Sequence, residues 1–123
     1  MVKKDKLFDF CIRVLLKLGM EEEKAIKTSE ILIEGDMMGH STHGTRLLPM
    51  YIADIEKGNM KVSGEIDVIN DTKSCITWDG NLLPGIWLTD QAITIASKRS
   101  EKQGVVTVLI GNSHHNAALG AYM

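Results

Sequence analysis

Proline is scarce in this chain, two residues in 123, and no stretch is of low complexity. Apolar residues (44%) and charged residues (24%) stand in globular proportion, which excludes a disordered tail of any size. An excess of one charge is also lacking. The formal net charge is −2, and the basic residues are scattered as pairs such as Lys3-Lys4 and Lys98-Arg99. That excludes the basic footprint of a nucleic-acid binder or of a protein drawn to an anionic membrane. No run approaches the roughly 20 apolar residues of a membrane span. The segment "LFDFCIRVLLKLG" is interrupted by Asp9, Arg13 and Lys17 and leads to no small-residue cleavage site, so it is not read as a signal peptide. The only cysteines, Cys11 and Cys75, have no CxxC spacing; buried, reduced thiols are expected. The chain reads as soluble and cytoplasmic.

Its length suits one domain, or two small lobes sharing a core. The first half has helical period. Leu7, Phe8, Cys11, Val14, Leu15 and Leu18 line one helix face, with Asp5 as N-cap and Gly19 past its end. The run Glu21-Glu22-Glu23 suits the start of a second helix, which should carry Ala25, Ile26, Ile33 and Met37 inward and end near Gly39. A third should begin at residues 46–48, with Pro49 in its first turn and Gly58 closing it. After Gly58 the period falls to two in "EIDVIN" and "SCITWDG". A helix is predicted from Pro84 to about Lys102, then "VVTVLI", 105–110, as a strand covered on both faces. Strand, helix, strand suggests a right-handed crossover. The fold class expected is α+β: a helical N-terminal lobe over 1–60, then a mixed sheet with covering helices from 61 to 123. From Asn116, a plausible N-cap, a helical pattern begins and has no stop signal, so the sequence is read as the front part of a longer protein.

All four histidines lie in two small-residue turns, "GHSTHG" (39–44) and "GNSHHNAALG" (111–120). The second follows a predicted strand and precedes a predicted helix start, a common place for ligands, where helix N–H groups favour developing negative charge. Three readings are open. The imidazoles could cap helices and fill turns. His40 and His43 could bind a metal with His114 or His115, although no acid is placed as a fourth ligand. Or the site could move protons, since imidazole exchanges one at cellular pH. Thr42, beside His43, could then orient a substrate oxygen, and Arg46 could hold a carboxylate.

These motifs, with "LLPMYIADIEKGNM", "WDGNLLPG" and "GVVTVLIGNSHHNAALGAY" in the same order, resemble the N-terminal part of the malate/L-lactate dehydrogenase family. That family is unrelated to the Rossmann enzymes and includes sulfolactate, ureidoglycolate and diketogulonate oxidoreductases. The resemblance covers nearly the whole chain. It implies an L-sulfolactate dehydrogenase-like fold and NAD- or NADP-dependent interconversion of a 2-hydroxy acid and a 2-oxo acid, in a homodimer. It assigns acid–base roles to His43, slightly ahead, and His115, and places Thr42 at the family's hydroxyl position. Arg46 and His114 are assigned to the substrate, His40 and Asn112 to the cofactor, and no residue to a metal. Two positions depart from the pattern. The family's arginine falls four residues after the catalytic histidine, here Leu47, so Arg46 is displaced by about 100° on an α-helix. Asn116 stands where an aromatic residue is common. There is no G-x-G-x-x-G and no P-loop, and the chain alone is expected to turn over poorly. The rival readings are a small histidine metal-binding module and an interaction domain without chemistry.

Overall fold

A computed structural model describes residues 3–123. The first helix, α1 (Lys4–Lys17), turns Cys11 and Leu15 wholly inward. Gly19 takes a left-handed φ of +86° and ends it, but the N-cap is Lys3, and Asp5 lies in the first turn. The second, α2 (Glu22–Met37), opens on acids as expected. Ala25, Leu32 and Ile33 face the core; Met37 does not, being 65% exposed. Two 3₁₀ turns, Ser41–His43 and Thr45–Leu47, lead into α3 (Leu48–Lys57). Pro49 stands in its first turn, where its missing N–H costs nothing. Gly58, at φ +78°, closes it.

Strands β1 (Asp67–Asp71), β2 (Cys75–Asp79) and β3 (Thr107–Gly111) form one sheet in the order β1-β2-β3. β1 runs antiparallel to β2, and β2 runs parallel to β3 through the long helix α4 (Gly85–Gln103). The architecture is α+β with a mixed sheet. Three further expectations are corrected. β3 is an edge strand whose burial alternates, with Leu109 63% exposed, so its β-branched run reflects strand propensity rather than two covered faces. Cys75 opens β2 on its open face and is exposed, whereas Cys11 is buried. No α-helix follows Asn116: the chain stays irregular until a 3₁₀ turn at Leu119–Tyr122, and the Asn116 carbonyl accepts the Tyr122 hydroxyl instead of capping.

Two apolar clusters hold the elements. One joins Cys11, Leu15 and Leu32 to Tyr51, Met60, Ile86 and Ala117. The other, Leu83, Trp87 and Leu88, seats α4 on the sheet through Ile66 and Ile110. A polar lock adds to them. The Trp87 indole donates to Glu23 at 3.0 Å, and the buried Lys24 ammonium, paired with Glu21, lies 4.0 Å over the same ring. Because Tyr51, Ile86 and Ala117 share one core, α3, the start of α4 and the segment after β3 meet at one place. No helix among the described residues is long and apolar enough to cross a membrane.

Candidate active site

The first histidine turn lies on the end of α2. The His40 N–H donates to the Gly35 carbonyl (2.9 Å) and the His43 N–H to that of His40 (2.8 Å), which winds residues 40–43 into a 3₁₀ turn. Asp36 fastens the next turn, accepting the Thr45 N–H at 3.0 Å and its hydroxyl. Gly35 permits this close approach, since a Cβ there would stand 2.9 Å from the His43 carbonyl oxygen. The His43 ring is exposed, and its Nδ1 lies 2.9 Å from the Thr42 hydroxyl. That contact occupies one ring nitrogen and leaves Nε2 for a ligand.

The second turn is held by distant residues. The Asn112 carbonyl accepts the Leu82 N–H (2.7 Å), and the Asn112 amide donates to Asp79 (2.9 Å). The Asn81 N–H and that amide hold the Asp79 carboxyl below its ordinary range. The His114–His115 backbone then presses on the first turn of α4. A Cβ on Gly85 would stand 2.7 Å from the His115 carbonyl oxygen, so only glycine fits. His114 turns its Nε2 to Asp54 at 3.0 Å, and its Nδ1 is buried without a partner. The His114 ring, then the Asn59 amide, pulls the Asp54 carboxyl below its usual range.

His115 is the most constrained of the four. Its Nδ1 lies 3.1 Å from the Tyr51 hydroxyl and accepts the Ala117 N–H, also at 3.1 Å. Ala117 is buried with a left-handed φ of +54°, which costs a non-glycine residue about 1 kcal/mol. Burial, then the nearby His43 and His114 rings, pushes the His115 pKa below its ordinary 6.5. Tyr51, 1% exposed, has its phenol pKa raised by burial.

The two turns converge. The His43 and His115 rings stack with centroids 5.7 Å apart and 28° between planes. With His40, Asn116 and residues Ala117–Gly120 they line an open cavity of about 450 Å³. A cavity of about 560 Å³ between α1, α2 and α4 contains no histidine. Of the residues singled out from sequence, His40, His43 and His115 therefore come together, and Thr42 touches His43. His114 is committed to Asp54 and Asn112 to Asp79; neither lines the cavity. Arg46 is exposed, without an ion pair among the described residues, and is not part of the lining. It stands in a 3₁₀ turn, so the α-helical displacement expected for it does not apply. The helix expected to open at Asn116 does not form, so it offers the second turn no N–H groups, and the Ala117 N–H is spent on His115. Although His40, His43 and His115 line one cavity, no group of three or more His, Cys, Asp or Glu among the described residues is placed to hold an ion.

Sequence reasoning passed over Tyr51, Asp54, Asp36, Gly35 and Gly85. The only signal for them was a polar pair, Tyr51 and Asp54, three apart on an otherwise apolar helix face.

A family model described as malate/L-lactate dehydrogenase matches residues 2–123. Malate dehydrogenase of Pyrococcus abyssi is 33% identical over 98% of this chain and 33% of its own length. The solved malate dehydrogenase of Pyrococcus horikoshii superposes with a TM-score of 0.94 at 33% identity, over 98% of this chain and 35% of its own. Sulfolactate dehydrogenase of Methanocaldococcus jannaschii gives 0.94 at 28% identity, over 98% and 35%. The chain thus spans about a third of the length of the relatives it matches.

Proposed function

The chain belongs to the malate/L-lactate dehydrogenase family, and from that premise we propose that it supplies the histidine half of a site interconverting a 2-hydroxy acid and a 2-oxo acid. The substrates proposed are of malate, lactate or sulfolactate type, and the coenzyme NAD or NADP. The carrying observation is the pair of imidazoles brought from two separate turns to 5.7 Å beside one cavity. Its volume lies in the range of small-molecule sites. His40 and the apolar wall Ala117–Leu119 suit one face of a nicotinamide ring, which when bound supplies or takes the hydride.

The protein's own groups handle the proton. With Nδ1 of His115 accepting from Ala117, its ring hydrogen belongs on Nε2, where it donates to the 2-oxo oxygen and stabilises charge developing there. His43, exposed and steadied by Thr42, exchanges a proton with solvent and passes it between Nε2 and the alkoxide oxygen. In the oxidation direction it takes that proton back. Arg46, exposed and without an ion pair among the described residues, is proposed to meet the substrate carboxylate.

We also propose the division at residues 60 and 61 into a helical lobe and the start of a cofactor and substrate domain, together with homodimerisation and a cytoplasmic location. The test is turnover by a polypeptide carrying this sequence on malate, lactate and sulfolactate with each nicotinamide coenzyme. His43→Ala and His115→Ala should each lower kcat/KM by about 10²–10⁴-fold. Arg46→Ala should chiefly raise KM. Unchanged kcat/KM in both histidine variants would remove the assignment.

A further inference from the structure

The Tyr51 hydroxyl is buried in the core beneath the second histidine turn and, among the described residues, reaches two acceptors, Nδ1 of His115 at 3.1 Å and the His115 carbonyl oxygen at 3.5 Å. Its ring is wedged edge-on against His114, centroids 5.3 Å apart, and stands at 61° to His115. Nδ1 already accepts the Ala117 N–H. A backbone amide can only donate, so Nδ1 carries no hydrogen while that bond stands.

We propose that Tyr51 is a positioning residue for the reaction: with the Ala117 amide it holds His115 in the tautomer that carries its hydrogen on Nε2. The consequence for turnover rests on the dehydrogenase reading; the tautomer does not. Protonating Nδ1 would set an N–H against the Ala117 N–H and force the Tyr51 hydroxyl to turn away. Both penalties fall on the imidazolium and on the wrong tautomer, and neither falls on the Nε2–H form. The other titratable groups facing this ring act in the same sense. His43 stacks on it, and His114 adjoins it with its own Nε2 engaged by Asp54. Tyr51 thereby divides the labour between the two imidazoles. His115 stays a neutral donor, and His43, whose Nδ1 meets only the Thr42 hydroxyl, a group that can donate or accept, is left to carry the proton. The choice falls on Tyr51 rather than on Asp54 because Asp54 touches only His114, which does not line the cavity.

The experiment is two-bond ¹H–¹⁵N NMR of the histidine rings in the ¹⁵N-labelled protein across pH, in wild type, in Tyr51→Phe and with fluorotyrosine incorporated for tyrosine. In wild type at neutral pH, His115 should show a bare Nδ1 and a protonated Nε2. Tyr51→Phe should mix the tautomers and move the His115 midpoint upward. The acid limb of the kcat/KM profile should follow it, and kcat should fall about fivefold to tenfold with KM nearly unchanged. Fluorotyrosine, a stronger donor, should move the midpoint downward, and it keeps the test available if Tyr51→Phe does not fold. A protonated Nδ1 in wild type overturns the proposal, as does a His115 titration indifferent to both changes at Tyr51. Failure of the dehydrogenase reading would look different: no turnover, with the tautomer intact.

Discussion

The two histidine turns use similar residues and are held by opposite means. Residues 39–47 are tied by near neighbours: Gly35, Asp36 and Thr42 lie within nine positions of what they hold. His43 stays exposed. Residues 111–118 are tied by Tyr51, Asp54, Asp79 and Leu83, from distant parts of the chain, and His115 is partly buried with a depressed pKa. Local anchoring leaves an imidazole able to exchange with water. Anchoring from the core fixes one nitrogen and tunes the other. A proton-transfer site needs both, so the asymmetry is a physical requirement of the proposed chemistry.

The comparison can be broken most strongly at the two glycines. Gly85→Ala should displace the His114–His115 backbone and cost about 3 kcal/mol, read from denaturant melts, because its Cβ would meet backbone carbonyls that cannot swing away. The ring stacking should go with it. Gly35→Ala meets a single carbonyl at 2.9 Å, and about 1 kcal/mol of gained helix propensity offsets the strain. A net loss of about 1 kcal/mol is expected. Equal costs would mean the turns are anchored alike.

Acid sharpens the contrast between the rings. Folding depresses the His115 pKa below 6.5, so below that pH the unfolded chain binds the extra proton. The contribution is present in full above pH 6.5 and is lost as pH falls through the folded value. Thermal melts between about pH 5 and 8 should show it. His115→Asn should flatten the slope in this window.

The smallest effect lies outside both turns, where Arg99 grips Asp71 with bonds of 2.6 and 2.8 Å and lowers its carboxyl from 3.8 to about 2. That stability is present above pH 3.8 and lost as pH falls through about 2. The pair is exposed, so Asp71→Asn should change acid unfolding only slightly, less still in high salt, and should spare the His115 titration.

Much of the fold was legible because period and punctuation are local. Leu7 to Leu18 marked α1, Pro49 and Gly58 bracketed α3, and the change of period after Gly58 marked β1 and β2. The site was half legible: His40, His43, Thr42 and His115 stand out by type and spacing. Tyr51 was passed over, since its partner lies 64 positions away. The misreadings of β3 and of the segment after Asn116 share that cause. A β-branched run states what a strand prefers, not how many of its faces are covered. A helical pattern cannot outweigh a backbone already committed to Ala117's bond with His115 and Asn116's with Tyr122.

By itself the sequence determined the helices, the strands and the confinement of every imidazole to two turns, because caps, breakers and hydrophobic period act over a few residues. Tertiary structure alone decided that the turns meet, which histidine is turned aside to Asp54, and which nitrogen of His115 carries the hydrogen. Those outcomes depend on burial and on donors from distant segments, and neither exists until the core has closed around Tyr51 and Ala117.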